Sequence, residues 1–255
     1  MTHTFLDLAR RYTPQSLKDI TRRMRMFCRF RIRFVAWFFP KYFGLYDLDR
    51  KLETHLNYTN GYFVELGAND GVSQSNTKHF ELFRNWKGVL VEPTPANFIS
   101  CKRNRSRRSK VINAACVGFD FKDKTVRMLF SNLMTIALDG ESDISDRTGH
   151  ATEGIQFLDK TQHLYEFHAP ARTLDSILKE ARSPHIIDFL SLDVEGSEME
   201  VLKGIDHSVF RFKYICIEVR DFDVMSRYLN ENGYEFVEKL TGHDYLFRDC
   251  RSVKD

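Results

Sequence analysis

Two carboxylates stand at the ends of successive apolar runs in this 255-residue sequence, with a glycine-bearing loop between them. The first run closes as Glu65-Leu-Gly67-Ala-Asn69-Asp70-Gly71; the second, from Lys87, closes on Glu92, twenty-one residues beyond Gly71. Gly67 and Gly71 lack a β-carbon, so the backbone there can come very close to a ligand. A ligand with an amino-acid tail lying across that strand end would meet Glu65 with its ammonium, directly or through water. Asn69 and Asp70 would offer short polar groups beside it. Glu92, one strand–helix–strand step later, is placed to accept both hydroxyls of a ribose. A third run ends in Asn113-Ala114-Ala115, whose small residues leave room for a flat adenine ring. Read singly, these are a two-glycine turn, a solvated edge acid and plain packing. Read in this order, they form a nucleoside site.

A fourth run ends in Leu192-Asp193-Val194-Glu195-Gly196. Open α/β sheets place their working carboxylates at such carboxyl edges, beside the point where strand order reverses. Asp193 is therefore expected to face the cleft. Glu195 and Ser197 fall at the next helix start, with Ser197 as N-cap, and Glu195 is alternatively a complement to that helix dipole. His243, in the turn of LTGHDYLF, has a side chain suited to proton transfer near neutrality, or is a solvated turn histidine. Asp193, Glu195 and His243 are the candidate bases. Oxygen ligands from Asp193 with Glu195 or Glu218 would suit a divalent ion, although the sequence establishes no metal set.

The elements that must hold these residues alternate. Strands are predicted at 61–67, 87–92, 110–117, 187–193 and 213–219, with a short one at 125–130. A closing hairpin is predicted from 234–240 and 244–249. Helices are predicted near 76–84, 95–104, 172–181, 197–204 and 222–233. That alternation implies right-handed crossovers and a parallel sheet. The predicted fold is α/β and Rossmann-like: a mostly parallel seven-stranded sheet, an antiparallel C-terminal hairpin strand, and helices on both faces. Residues 131–170 read as an insertion carrying Asp139, Glu141, Asp143 and Asp146, either a lid or substrate loop or a surface excursion.

With 42% hydrophobic and 29% charged residues, the chain suits one catalytic domain, residues 47–255, and a basic, aromatic N-terminal helical arm, residues 1–46. The net charge of +3 divides unevenly, since residues 1–44 hold ten Lys/Arg against two acids (+8), leaving −5 for the rest. A nucleic-acid enzyme carries positive charge around its cleft, so this distribution speaks against a nucleic-acid partner. In residues 21–44, Arg22, Arg25, Arg29 and Arg33 share one helical face, and Phe27, Phe30, Phe34, Trp37 and Phe38 another. That arm suits anionic lipid, packing against the domain, or nucleic acid. Cys28, Cys101, Cys116, Cys216 and Cys250 form no CxxC pair, which points to a reducing compartment. No secretory or membrane-spanning run is visible. The expected location is cytoplasmic, peripheral at the inner face of a membrane if the arm docks there.

The succession ELGANDG, LVEPTPANF, INAACVG, RTLDSIL, LSLDVEGSEMEVLKGI, IEV and HDYLF resembles the FkbM family of S-adenosylmethionine-dependent methyltransferases, from about Gly61 to Asp249. The resemblance implies the class I methyltransferase fold, S-adenosylmethionine as cofactor, and O-methylation, often of sugar hydroxyls. Carried over by position, Glu65, Gly67, Asn69, Asp70 and Gly71 would cradle the methionine part and Glu92 the ribose. Asp193 and Glu195 would lie near the transferred methyl. Asn113 and Ala114 remain the residues expected beside adenine. The expected acceptor is a hydroxyl of a glycan or small molecule. The alternatives are a nucleic-acid methyltransferase, or a non-catalytic, membrane-docked protein that keeps the fold. A nicotinamide enzyme would need GxGxxG, and the loop reads GANDG.

Overall fold

The computed structural model describes residues 41–251. The arm's arginine and aromatic faces, and Cys28, lie outside the described residues. The described residues from Tyr42 onward belong to one compact unit. Its strands in chain order are β1 (Tyr62–Leu66), β2 (Lys87–Val91), β3 (Lys110–Ile112), β4 (Ala115–Cys116), β5 (Thr125–Phe130), β6 (Ile136–Ala137), β7 (Tyr165–Arg172), β8 (Ile186–Leu192), β9 (Arg211–Glu218), β10 (Tyr234–Lys239) and β11 (Asp244–Asp249). Its α-helices are α1 (Leu48–Leu52), α2 (Lys78–Phe83), α3 (Pro95–Asn104), α4 (Arg147–Glu153), α5 (Leu174–Ala181), α6 (Glu198–Lys203) and α7 (Phe222–Glu231).

The main sheet has seven strands in the order β10-β11-β9-β8-β1-β2-β3. It is parallel from β9 to β3, and β11 runs antiparallel to both β9 and β10. Successive residues bury into opposite layers. Phe63, Leu90, Phe189 and Cys216 pack toward α1, α2 and α3. Val64, Leu66, Val89, Leu190 and Ile215 pack toward α5, α6 and α7. Burial on both faces is why these strands read as unbroken apolar runs rather than alternating ones. The side chains of Thr173 and Asp221 cap α5 and α7 by accepting from the N–H groups of Ser176 and Val224. Leu66 of β1 pairs in register with Leu192 of β8. Strand order reverses between these two neighbours, and the crevice opens beyond their carboxyl ends.

One expectation is corrected. Residues 110–117 are not one strand. β3 stops at Ile112, and Ala115 and Cys116 pair instead with Ala171 and Arg172 of β7. The turn-out has a cause: the Asn113 side-chain amide donates to the Glu92 and Pro93 carbonyls, both at 2.8 Å. Within residues 131–170, β6 and most of β7 pair with β5, and β7 completes a second sheet, β4-β7-β5-β6. That sheet has its own core of Val126, Met128, Ala137 and Ala169. The four acids of the segment do not form a patch. Asp139 pairs with Arg127, Glu141 with Lys203 and Asp143 with Arg220, while Asp146 caps α4 through the Gly149 N–H. Among the described residues, no helix is long and apolar enough to cross a membrane.

Candidate functional site

Both sheets wall a cleft of about 970 Å³ at the carboxyl ends of β1, β2, β8 and β9. Glu65, Gly67, Asn69, Glu92, Ala114, Asp193, Glu195 and His243 all line it. Asp70, Gly71 and Asn113 are not part of the lining. Asp70 Oδ1 accepts from the N–H groups of Val72 and Ser73, the local turn that a short carboxylate favours. Asn113 holds the turn-out described above.

The glycines serve the chain itself. Gly67 has φ 75°, and a β-carbon there would lie 1.9 Å from the Asp193 carbonyl oxygen. Gly71 has φ 80°, and a β-carbon there would meet Arg105 Cγ at 2.8 Å and Cys101 Sγ at 2.9 Å. The close approach inferred from the sequence is therefore between the ends of β1 and β8, and between the loop and α3.

Glu65 also departs from expectation. It is buried, and its Oε1 accepts from Ser75 Oγ at 2.9 Å and the Asn76 N–H at 3.0 Å. Its Oε2 accepts from Thr77 Oγ1 at 2.6 Å and Arg105 Nη1 at 3.1 Å. A carboxylate so engaged anchors residues 75–77 and Arg105. The geometry does not support the ammonium contact expected of it.

Glu92 behaves differently. Its Oε2 accepts from the Asn69 N–H and its Oε1 from the Thr94 N–H, both at 2.8 Å. One bond at each oxygen leaves lone pairs free for two further donors. Burial pushes its carboxyl up to about 7 despite the hydrogen bonding from Thr94 and the Asn69 N–H. It is an acid short of donors, and a ribose diol brings two. Ala114, Ala115, Val91 and Pro93 line the adjoining wall with small or apolar surface. These residues fit an adenosine group.

At the tip of β8, Asp193 is exposed to the cleft while standing deep among other acids. Oxygens of Asp193, Glu198 and Glu218 lie within 4.8 Å of one another. Burial, then Glu218, Glu195 and Glu198, hold the Asp193 carboxyl well above the usual range. Burial raises Glu198 to about 8, although its Oε1 accepts from the N–H groups of Val194 and Gly196. Ser197 occupies the N-cap position of α6, but its hydroxyl makes no cap bond. Arg220 is the guanidinium among these acids, 3.3 Å from Glu195, 3.6 Å from Glu218 and 3.7 Å from Asp143. Glu195 therefore does not join Asp193 in an ion-binding set. It turns toward Arg220 and His150. A surplus of carboxylates makes this end of the cleft suited to a ligand carrying positive charge.

Three contributors had no motif to reveal them: Arg105, Arg220 and His150. His150 Nε2 lies 2.8 Å from Glu195 Oε2, across 45 residues of sequence. His243 sits exposed in the β10–β11 turn, where its carbonyl accepts from the Val219 N–H.

A reversed parallel sheet with a glycine loop at the switch point, a buried acid at the next tip and carboxylates at the fourth has the layout of a class I methyltransferase. Residues 65–236 match the methyltransferase FkbM domain, and the chain belongs to that family. Its cofactor is S-adenosylmethionine. No curated protein matches the chain. Solved structures with some likeness include the human methyltransferase 10 domain containing protein, at 13% identity and TM-score 0.44, covering 80% of this chain and 82% of that one. The N-terminal domain of human METTL16 in complex with SAH follows at 12% and 0.40, covering 79% and 67%. TrmK of M. capricolum in complex with S-adenosyl-homocysteine stands at 10% and 0.39, covering 78% and 66%. At these scores the likeness carries no argument about acceptor or mechanism.

Proposed function

We propose that the protein transfers the methyl group of S-adenosylmethionine to a hydroxyl oxygen of a glycan or small-molecule acceptor. The observation that carries this reading is the contact of Gly67 with the Asp193 carbonyl, which sets the cofactor loop directly against the acidic tip of β8. When bound, the cofactor supplies an electrophilic methyl on a sulfonium that departs as a neutral thioether. Glu92 would hold the ribose hydroxyls, and the small residues after β3 would pack the adenine. Asp193 would orient the acceptor hydroxyl. Alignment of acceptor and methyl supplies most of the acceleration in such a displacement.

The acceptor side of the cleft is lined by Met128, Leu133, Met134 and Phe157, with Asn132 and Thr135 among them. Apolar surface with a few polar groups suits a sugar ring or similar small molecule. The acidic tip is unfavourable for a phosphate backbone, which supports this reading over a nucleic-acid acceptor. The membrane contact is proposed from residues 21–44, and the cytoplasmic location from the cysteines without a CxxC pair. Liposome co-sedimentation with and without residues 1–44 tests the contact, and binding retained by the truncated chain refutes it.

Calorimetry with S-adenosylhomocysteine tests the cofactor site. A search of extracts by intact mass for a cofactor-dependent gain of one methyl tests the transfer. Asp193→Asn is expected to lower turnover by about 100-fold while S-adenosylhomocysteine affinity stays within a few-fold of wild type. Equal losses in both would make Asp193 a structural residue.

A further inference from the structure

Segment 131–157 brings one imidazole into the cleft. His150, on α4, lines the cleft beside Asp193 and Glu195. The facing His150 and Glu195 side chains are 14% and 16% exposed. Glu195 is held for the purpose. It lies at φ 55° between Val194 and Gly196, a conformation disfavoured for a residue with a β-carbon. Around it, Glu198 Oε1 accepts from the Val194 and Gly196 N–H groups, and the Asp143 N–H donates to the Gly196 carbonyl. Arg220 grips the same Glu195 oxygen at 3.3 Å. The charged groups facing the pair are thus Arg220, Asp143, Asp193, Glu198 and Glu218. Among the described residues, His150 Nδ1 meets no protein partner, while Nε2 is committed to Glu195.

We infer that His150 is the general base of the transfer and that Glu195 is its positioning residue. This rests on the methyltransferase reading above. Glu195 accepts the Nε2 proton, which fixes the tautomer that leaves the Nδ1 lone pair free. As the acceptor oxygen forms its bond to the methyl carbon, the carbon–sulfur pair stays with sulfur and the hydroxyl proton passes to Nδ1. The resulting imidazolium lies against the Glu195 carboxylate and then releases its proton to water. Asp193 is less suited to this task, because the neighbouring Glu218, Glu195 and Glu198 favour its protonated form. His243 has no orienting carboxylate among its hydrogen bonds.

Two measurements test the inference. Long-range nitrogen–proton spectra of protein labelled at histidine should show His150 as the Nε2–H tautomer, and Glu195→Gln should redistribute it. An Nδ1–H tautomer in the wild type, or no change in the variant, overturns the assignment. His150→Gln keeps a donor for Glu195 and removes the base. With methyl-labelled cofactor and cell extract as acceptor source, it should transfer label at least about 100-fold more slowly, with S-adenosylhomocysteine affinity within twofold of wild type. Transfer within a few-fold of wild type overturns the inference and leaves the methyltransferase reading intact. A wild type that binds no S-adenosylhomocysteine refutes both.

Discussion

Arg105→Met is expected to destabilise the domain by about 3–5 kcal/mol, the largest loss any single side chain here should cause short of a backbone clash. Arg105 is fully buried and holds two buried acids at once, Glu65 at 3.1 Å and Glu81 at 3.2 Å. It also donates to the Gly71 carbonyl, Ser75 Oγ and Thr77 Oγ1. Methionine matches the volume but strands Glu65 without a cation and leaves Glu81 with Lys78 alone, and an unpaired buried charge costs far more than the pair was worth. For a domain of this size the melting temperature should fall by roughly 10 °C. Arg105→Lys should recover little, because a single ammonium cannot reproduce the guanidinium fork. Adding Glu65→Gln to Arg105→Met should recover part of the loss, a non-additivity that a double-mutant cycle measures. A shift in melting temperature below about 2 °C for Arg105→Met would remove the network from the structural account.

Glu92→Ala should weaken S-adenosylhomocysteine binding by about 100-fold, the worth of two charge-assisted hydrogen bonds from a ribose diol. The wild type adds a pH signature. In the free cleft Glu92 is pushed up to about 7 by burial. Hydroxyl donors favour its charged form, so the bound carboxyl titrates lower and binding expels a proton. Affinity should therefore rise from pH 6 to pH 8 and be lost as pH falls through about 7. Calorimetry in buffers of different ionisation enthalpy reads the proton directly, and the slope should vanish in Glu92→Ala. Stability runs the opposite way. The folded protein holds this proton more tightly than the unfolded chain, whose carboxyl has the ordinary value of 4.5, so stability falls as pH rises from 4.5 to about 7. A flat affinity profile would mean the ribose lies elsewhere.

The main sheet was legible because its strands are buried on both faces and its helices carry their own punctuation. Pro95 opens α3, and Gly204 follows α6. The place of Glu92 at the next strand tip was legible for the same reason, since it is set by one strand–helix step. What escaped depends on partners distant in sequence. Glu65 looks like a ligand-binding acid until Arg105, 40 residues later, closes on it, and Arg105 belongs to a basic run that reads as solvated surface. Asn113 looks like the end of a strand until the backbone of residues 92 and 93 draws it aside. β4 and β7 are too weakly patterned to announce a second sheet, and without that sheet nothing in the sequence brings His150 to Glu195. Gly67 and Gly71 read as positions where the backbone meets a ligand, and the structure sets protein atoms of Asp193, Arg105 and Cys101 against them.

Three contacts fasten segment 131–157 to the loops that follow β1 and β8. Asn69 Nδ2 reaches Asn132 at 3.3 Å, the Asp143 N–H reaches the Gly196 carbonyl at 3.0 Å, and His150 reaches Glu195 at 2.8 Å. One fastening is on the loop after β1 and two are on the loop after β8. Relatives that diverge in what they methylate are then free to vary Leu133, Met134 and Phe157 between these rivets, while the rivets themselves must change together with their partners. Transplanting the segment from one family member to another should succeed only when residues 69 and 195–196 travel with it.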